Sequence, residues 1–334
     1  MAGNPLQKVK LLYLWDILKK YTDEDHPLSA AELCARLAEQ DVPAERKSIY
    51  SDIETLQQYG LEIIHTRHPK SGYFLASRDF EVPEVRLLID AVQAAGFISV
   101  KKTRQLTTRL EGLLSESQAK NIQRQVYVDN RNKCANEEIY YSIDLLNKAI
   151  QERKKVGLAY CRRRLEEGRR IVQSSRDFVI SPYALAWMND HYYLIGNNQK
   201  YDNLMHLRVD RMRRVQILEE KARPFREVSD YQAFFDTADY VSKVFNMFGG
   251  ELQQIDLRCR VDLLEQVVDR FGESIFIRDG GEGYFTFTVT AQVSEGLISW
   301  LLQYGDGMEV LSPPDLRRRM GEKAAALHRM YGAG

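Results

Sequence analysis

The sequence predicts a multidomain α+β protein, and three observations carry that prediction. The first 75 or so residues show three helix-period patterns followed by two short extended runs. The middle holds several short, apolar-rich strands separated by turns. The last third alternates strand and helix patterns in the order βαββαβ. A chain of 334 residues is too long for one ordinary core. With 44% hydrophobic and 28% charged residues it has the composition of a folded globular protein rather than a disordered one.

The first helix is expected over residues 6–21, where Leu11, Leu12, Leu14, Trp15 and Leu18 recur at three- and four-residue spacings. The run Thr22-Asp-Glu-Asp-His-Pro27 ends it. Ser29 reads as an N-cap with Glu32 in capping-box position, so a second helix runs to about Gln40 on an apolar face of Leu33, Leu37 and Ala38. A third helix spans residues 44–59, with Ile49, Ile53 and Leu56 on one stripe and Gly60 as its stop. Extended runs at 61–66 and 73–76, joined by Arg67-His-Pro-Lys-Ser-Gly72, read as a β-hairpin with a basic tip. Three helices and a hairpin in this order make a winged helix-turn-helix.

Residues 82–126 look helical throughout, a helical connector, and Asp129-Asn-Arg-Asn-Lys133 is a polar break before a helix at 139–154. Strands are expected at 156–161, 171–179, 181–188, 192–196 and 204–209, with turns at Glu167-Gly168 and Asn189-Asp190. Strands this short and this evenly spaced suggest a small barrel. Residues 222–250 form a mixed connecting stretch. The final module reads strand 254–259, helix 263–271, strand 274–278, strand 284–293, helix 295–303, strand 308–311 and helix 314–331, a ferredoxin-like order.

Several classes are disfavoured. Cys34, Cys134, Cys161 and Cys259 lack metal or disulfide spacing and read as reduced thiols. No stretch approaches the roughly 20 apolar residues that span a bilayer, so a cytoplasmic protein without membrane contact is expected. Catalytic signatures such as G-x-S-x-G, H-E-x-x-H and the phosphate-binding Gly-Lys-Ser/Thr loop are missing. The expectation is a non-enzyme with no catalytic residue, no metal and no cofactor.

Lys+Arg and Asp+Glu both total 47, so any nucleic-acid or anion preference must come from local charge. On the third helix Arg46, Lys47, Ser48, Tyr50 and Ser51 fall near the N-terminal half, the part that a helix-turn-helix presents to the major groove. Arg and Lys donate to guanine edges or phosphates, and hydroxyls bind phosphates. Arg67, His68 and Lys70 at the hairpin tip suit backbone or minor-groove contact. Against this, residues 1–75 hold nine Lys+Arg and eleven Asp+Glu, so binding rests on a few well-placed cations, doubled in a dimer. Residues 140–224 hold seventeen Lys+Arg against ten Asp+Glu, a net of +7 that favours an anion. Arg208 and Arg211 end the last predicted barrel strand, and Tyr183, Tyr193 and Trp187 supply rings beside them. Trp187 as a core residue, His206 as a structural hydrogen-bonder, and Arg162–Arg164 and Arg213-Arg214 as solvated turns are the plainer alternatives.

Arg46-Lys-Ser-Ile-Tyr-Ser-Asp-Ile-Glu-Thr-Leu followed by Gly60-Leu-Glu-Ile resembles the winged helix of WYL-domain transcription regulators. Ser51 stands where that family usually has Arg. Ser181-Pro-Tyr-Ala-Leu-Ala-Trp187, Tyr192-Tyr193-Leu194 and His206-Leu-Arg208-Val-Asp-Arg211 are similar to the WYL core in the same order, with Tyr192 in place of the naming Trp. Phe271-Gly272, Ser299-Trp300-Leu-Leu and Val310-Leu-x-Pro313 are similar to the family's C-terminal extension, the WCX domain.

The resemblance implies a winged helix-turn-helix at 1–77, a connector at 78–136, and a WYL effector-sensing domain with an Sm/SH3-like barrel at 137–224. A linker at 225–249 and a WCX-like α+β extension at 250–334 complete it. It implies a homodimer bound to double-stranded DNA, with a nucleotide or single-stranded nucleic-acid effector held by Ser181, Tyr183, Tyr193, His206, Arg208 and Arg211. An accessory nucleic-acid-binding protein working beside phage-defence or DNA-damage-response enzymes is the alternative.

Overall fold

The computed structural model describes residues 5–123, 133–166, 171–229, 231 and 235–332. The chain divides into two compact units, Met1–Glu137 and Glu138–Gly334.

The first unit opens with α1 (Pro5–Tyr21), α2 (Ala30–Ala38) and α3 (Arg46–Gln58), then a hairpin of β1 (Ile63–Thr66) and β2 (Gly72–Leu75). Ser29 and Glu32 form the expected capping box, which satisfies two N–H groups that the helix start would leave orphaned. Gly60 ends α3's turn at φ +111°, where a side chain would be strained. Leu14, Leu18, Leu33, Leu37, Ile49 and Ile53 make one core, each buried side chain contributing roughly 1.5–3 kcal/mol. Tyr73 exchanges two backbone hydrogen bonds with Leu28, which ties the hairpin to the turn before α2.

The connector is three helices rather than one run: α4 (Val82–Ala94), α5 (Val100–Glu111) and α6 (Glu116–Gln123). Ser99 caps α5, and Ser115 and Gln118 exchange bonds at the start of α6. These two serines punctuate an apolar pattern that periodicity alone reads as continuous. The expected helix end at 124–126 and most of the polar break at 129–133 lie outside the described residues. Asp23, buried between the two parts, bonds Ser115 and His26, and Arg78 donates to carbonyls of Lys19, Thr22 and Leu113. The connector is therefore joined to the three-helix part by polar bonds as well as packing.

The second unit starts with α7 (Ile139–Glu152), whose Ile139, Leu146 and Ala149 are buried. A five-stranded antiparallel sheet follows, in the order β6-β5-β4-β3-β7. Its strands are β3 (Lys154–Leu165), β4 (Ile171–Met188), β5 (His191–Asn197), β6 (Met205–Arg208) and β7 (Met212–Lys221). The expected small barrel is thus corrected to an open sheet, with β6 and β7 as its edges. The sheet bends instead of closing. One long strand, β4, pairs with β3 up to Ile180 and with β5 from Ser181, with a bulge between Pro182 and Ala184. A proline lacks the N–H that an unbroken ladder needs, so the switch of partner falls there. The two expected strands at 171–179 and 181–188 are therefore one. The sequence reading also omitted β7, whose Arg213-Arg214 pair masks its alternation. The expected turn at Glu167-Gly168 lies outside the described residues.

The connecting stretch holds α8 (Thr237–Ser242), and Tyr240 of this helix, with Val244 and Met247 just beyond it, packs on Ala186 and Ile195 of the sheet. Thereafter come β8 (Glu251–Arg260), α9 (Leu264–Phe271), β9 (Ile277–Asp279), β10 (Tyr284–Val293), α10 (Glu295–Leu302), β11 (Met308–Ser312) and α11 (Pro314–Tyr331). The four strands pair antiparallel in the order β11-β8-β10-β9. Ile255, Leu257 and Cys259 alternate into a core with Phe287, Leu301 and Leu316. Among the described residues, no helix is long and apolar enough to cross a membrane.

Candidate functional site

Two surfaces collect the residues singled out by sequence. The first is the outer face of α3 and the neighbouring hairpin. Ile49, Ile53 and Leu56 anchor the inner face in the core, so the helical period turns Arg46, Lys47, Tyr50 and Ser51 outward, and all four are exposed. Lys10 and Asp52 form an ion pair of 2.7 Å between α1 and α3, largely shielded from solvent, which fixes the helix in rotation. Ser48 is different. Its hydroxyl donates to the Glu45 carbonyl at 2.8 Å, so it serves the helix start.

On the hairpin, Arg67 and His68 are exposed. The Thr66 hydroxyl donates to the His68 carbonyl (2.8 Å) and accepts its N–H, holding the turn in shape. Lys70 reaches across to Glu32 at 2.6 Å. That bond, with the Ser29 N–H, lowers the Glu32 carboxyl to about 2. Among the described residues, Arg46, Lys47 and Arg67 make no ion pair, whereas Lys70 does. Tyr50 and His65 flank the Tyr73 ring, at 6.4 and 4.8 Å between centroids.

The second surface is the β4-β5-β6 face of the sheet. Its register sets Tyr193 opposite Arg208 and Ile195 opposite His206, so Tyr193, His206 and Arg208 share one side. Their environments diverge. His206 lies beneath the α8 segment, with Nε2 2.9 Å from the Tyr240 hydroxyl, and burial pushes its imidazole down to about 4. It is neutral at physiological pH. Arg208 binds Asp210 with two hydrogen bonds of 3.0 and 2.8 Å and lies 3.3 Å from the His191 ring. Burial alone would raise the Asp210 carboxyl, but the Arg208 bonds outweigh it and the net shift is downward. Burial, then the adjacent Arg208 charge, lower the His191 imidazole. Tyr193 is half-buried, and burial raises its phenol.

Ser181 and Tyr183 face elsewhere. The Ser181 hydroxyl accepts the Arg223 N–H at 2.9 Å, and the Tyr183 hydroxyl donates to the Arg223 carbonyl at 2.9 Å. Burial drives the Tyr183 phenol to about 12. Both hold the chain as it leaves β7. Arg211 is exposed, in the single 3-10 turn between β6 and β7. A cleft of about 930 Å³ opens beyond Tyr240, lined in part by Arg226, Tyr231, Lys243 and Gln292. Tyr193 does not line it. Of the six expected effector residues, the fold therefore brings Tyr193, His206 and Arg208 to one face, with Arg211 beside them. Sequence reasoning missed Asp210 and His191 as partners of Arg208. The signal was present as Arg-x-Asp, two residues apart around a turn.

Comparison with known proteins adds two domain assignments. Residues 142–217 match the WYL domain, and residues 251–327 match the WCX domain. No curated protein matches the chain. Among solved structures, one similar chain is proteasome accessory factor B/C (PafBC) of Arthrobacter aurescens. It is 14% identical with a TM-score of 0.28, over 97% of this chain and 49% of that one. This chain thus spans about half the length of that protein. A CRISPR Cas-related protein is 13% identical with a TM-score of 0.36, over 98% of this chain and 86% of the other.

Proposed function

The chain contains a WYL domain followed by a WCX domain, and from that premise we propose that it is a DNA-binding transcription regulator. In this reading α1 to α3 and the β1–β2 hairpin are a winged helix-turn-helix, with α3 as the recognition helix. The WYL sheet senses a negatively charged effector, the WCX module is a ferredoxin-like extension, and two copies act as a homodimer in the cytoplasm. The role is binding, without turnover. The observation that carries it is the outward row Arg46, Lys47, Tyr50 and Ser51, on a helix whose rotation is fixed by Ile49, Ile53 and the Lys10–Asp52 pair.

A helix held in this way enters a major groove with its cations toward phosphates and base edges. Effector binding regulates DNA binding only if the effector prefers one arrangement of the protein over another. The test is genome-wide footprinting of the purified protein, with and without short single-stranded DNA, beside the Arg46→Ala/Lys47→Ala variant. The regulator reading expects discrete duplex sites. It also expects the variant to lose affinity and about 2 units of salt slope per protomer, hence about 4 for the homodimer, at near 0.9 per phosphate contact. Discrete sites bound equally by the variant would remove α3 from the interface.

One observation favours a second reading, an accessory nucleic-acid-binding protein: the basic excess lies in residues 140–224, not in residues 1–75. Binding to single strands with no discrete duplex site in the same experiment would establish that reading over the first.

A further inference from the structure

Three arginines of the WYL domain that make no ion pair among the described residues stand on a β-ribbon, beside the positions that the family motif marks. β3 and β4 pair from Val156↔Ile180 to Leu165↔Ile171. β7 follows β3 only as far as Tyr160, and β5 leaves β4 at Ser181. Beyond Tyr160 the two strands run on as a ribbon, with no third strand beside them among the described residues. The Arg162–Arg164 run is thus paired strand and not a turn.

In an antiparallel pair, directly opposed residues point to the same side, and sides alternate along each strand. The registers Tyr160↔Arg176, Arg162↔Ser174 and Arg164↔Val172 therefore set Arg176, Arg162 and Arg164 on one side, and Arg163↔Gln173 on the other. With a rise of about 3.3 Å per residue, the three guanidinium-bearing positions follow one another at steps of about 6.6 Å. Rings back two of them. The Arg162 guanidinium lies 5.7 Å from the centre of Tyr160 and that of Arg176 lies 5.5 Å from Phe178. The arginines are exposed, and among the described residues none of the three makes an ion pair. The nearby Asp177 lies on the opposite side, engaged by Arg214 at 3.1 Å. Arg208, by contrast, is bound to Asp210. The two regions adjoin, because the Arg208 N–H donates to the Tyr160 hydroxyl at 3.2 Å.

We infer that the β3–β4 ribbon is a contact surface for a single nucleic-acid strand, whose phosphodiester backbone lies along Arg164, Arg162 and Arg176 toward Tyr193. Three cations in one row fit one chain of phosphates. A duplex presents two rows across a major groove about 12 Å wide, and the ribbon offers no second row. Guanidinium groups bind phosphate in a bidentate fork and also stack on unpaired bases, which a single strand exposes. The inference rests on the effector reading above and names the side chains that would carry it.

The test is fluorescence anisotropy of the full-length protein with a labelled oligothymidylate about 12 nucleotides long, over a range of salt. Arg162→Ala/Arg164→Ala/Arg176→Ala is expected to bind at least ~10-fold more weakly and to lose about 2 units of salt slope, near 0.7 per contact on a single strand. Arg163→Ala, on the far side of the ribbon, is expected to bind as wild type. Should the triple variant be unstable by thermal melting, Arg164→Gln alone is expected to lose about 0.7 of slope. Wild-type affinity and slope in the triple variant would overturn the ribbon while leaving the effector reading standing. A wild-type protein that binds its duplex sites but not the oligonucleotide would overturn both the single-strand effector and the ribbon. Equal losses for the oligonucleotide and for a duplex of the same length would overturn the preference for one strand.

Discussion

The outer face of α3 and the β4-β5-β6 face of the WYL sheet were marked by the same kind of sequence evidence, and the fold treats them in opposite ways. On α3, Arg46, Lys47, Tyr50 and Ser51 stand in solvent while the core grips the other side of the helix. On the sheet, most of the marked side chains are engaged internally. Arg208 is held by Asp210, His206 is covered by Tyr240, and Ser181 and Tyr183 bind Arg223. A polar motif on a helix with one buried stripe is free by geometry. The same motif on a sheet can be consumed by whatever the chain folds over it.

The sharpest test of that contrast is acid. His206 is the most deeply committed of the sheet residues, with an imidazole at about 4. Unfolded histidine titrates near 6.5, so the unfolded chain binds the extra proton between these values. The stability that His206 contributes is complete above about pH 6.5 and is lost as pH falls through about 4. A difference of about 2.5 pH units corresponds to about 3 kcal/mol. In urea melts, His206→Gln is expected to flatten this acid limb for the second unit. An unchanged limb in the variant would show that His206 is open to water, and would return it to the ligand-facing set.

Next in size is a pair of arginines three residues apart. Arg208→Ala removes two guanidinium hydrogen bonds from Asp210, a shielded carboxylate whose side chain is 14% exposed. We expect a loss of about 2 kcal/mol, since taking two charge-assisted hydrogen bonds from a partly buried carboxylate is costly. Arg211→Ala, in solvent, is expected to stay within about 0.5 kcal/mol of wild type. Thermal melts of both variants decide it. Equal melting temperatures would mean that the Arg208–Asp210 pair carries no net stability, and that Arg208 is available for an anion.

These cases show where sequence reading succeeds. The Ser29–Glu32 box, the Gly60 stop and the stripe of Ile49, Ile53 and Leu56 are local. Each is fixed by spacing of a few residues and a helical period, so α1 to α3 and the β1–β2 hairpin were legible element by element, while the breaks between α4, α5 and α6 were not. The alternation in β8 and the βαββαβ order were legible for the same reason. The barrel was not, because closure depends on whether β6 and β7 meet, and a four-residue β6 followed by a single turn gives no periodic sign of that. Nor was the cover on His206, since Tyr240 lies 34 residues away and its bond is tertiary. The free Arg162–Arg164 run stayed ambiguous until pairing with Ile171–Ser174 showed which of its members share a side.

The smallest effect lies within the α3 region and refines the contrast. Lys70 is the one hairpin cation already bound internally, to Glu32 at 2.6 Å, with both side chains more than 40% exposed. Exposed ion pairs contribute about 0–1 kcal/mol, so Lys70→Ala is expected to shift stability by less than about 1 kcal/mol. The Glu32 carboxyl, held at about 2 by Lys70 and the Ser29 N–H, should rise toward the ordinary carboxylate range in the variant. It should stop short of that range, because the Ser29 bond remains, and a carboxyl-detected NMR titration reads this directly. Because Lys70 has already committed its charge, its removal should weaken duplex binding less than Arg67→Ala does. A larger loss for Lys70→Ala would mean that DNA displaces Glu32, so that an internal partner does not by itself withdraw a cation from binding.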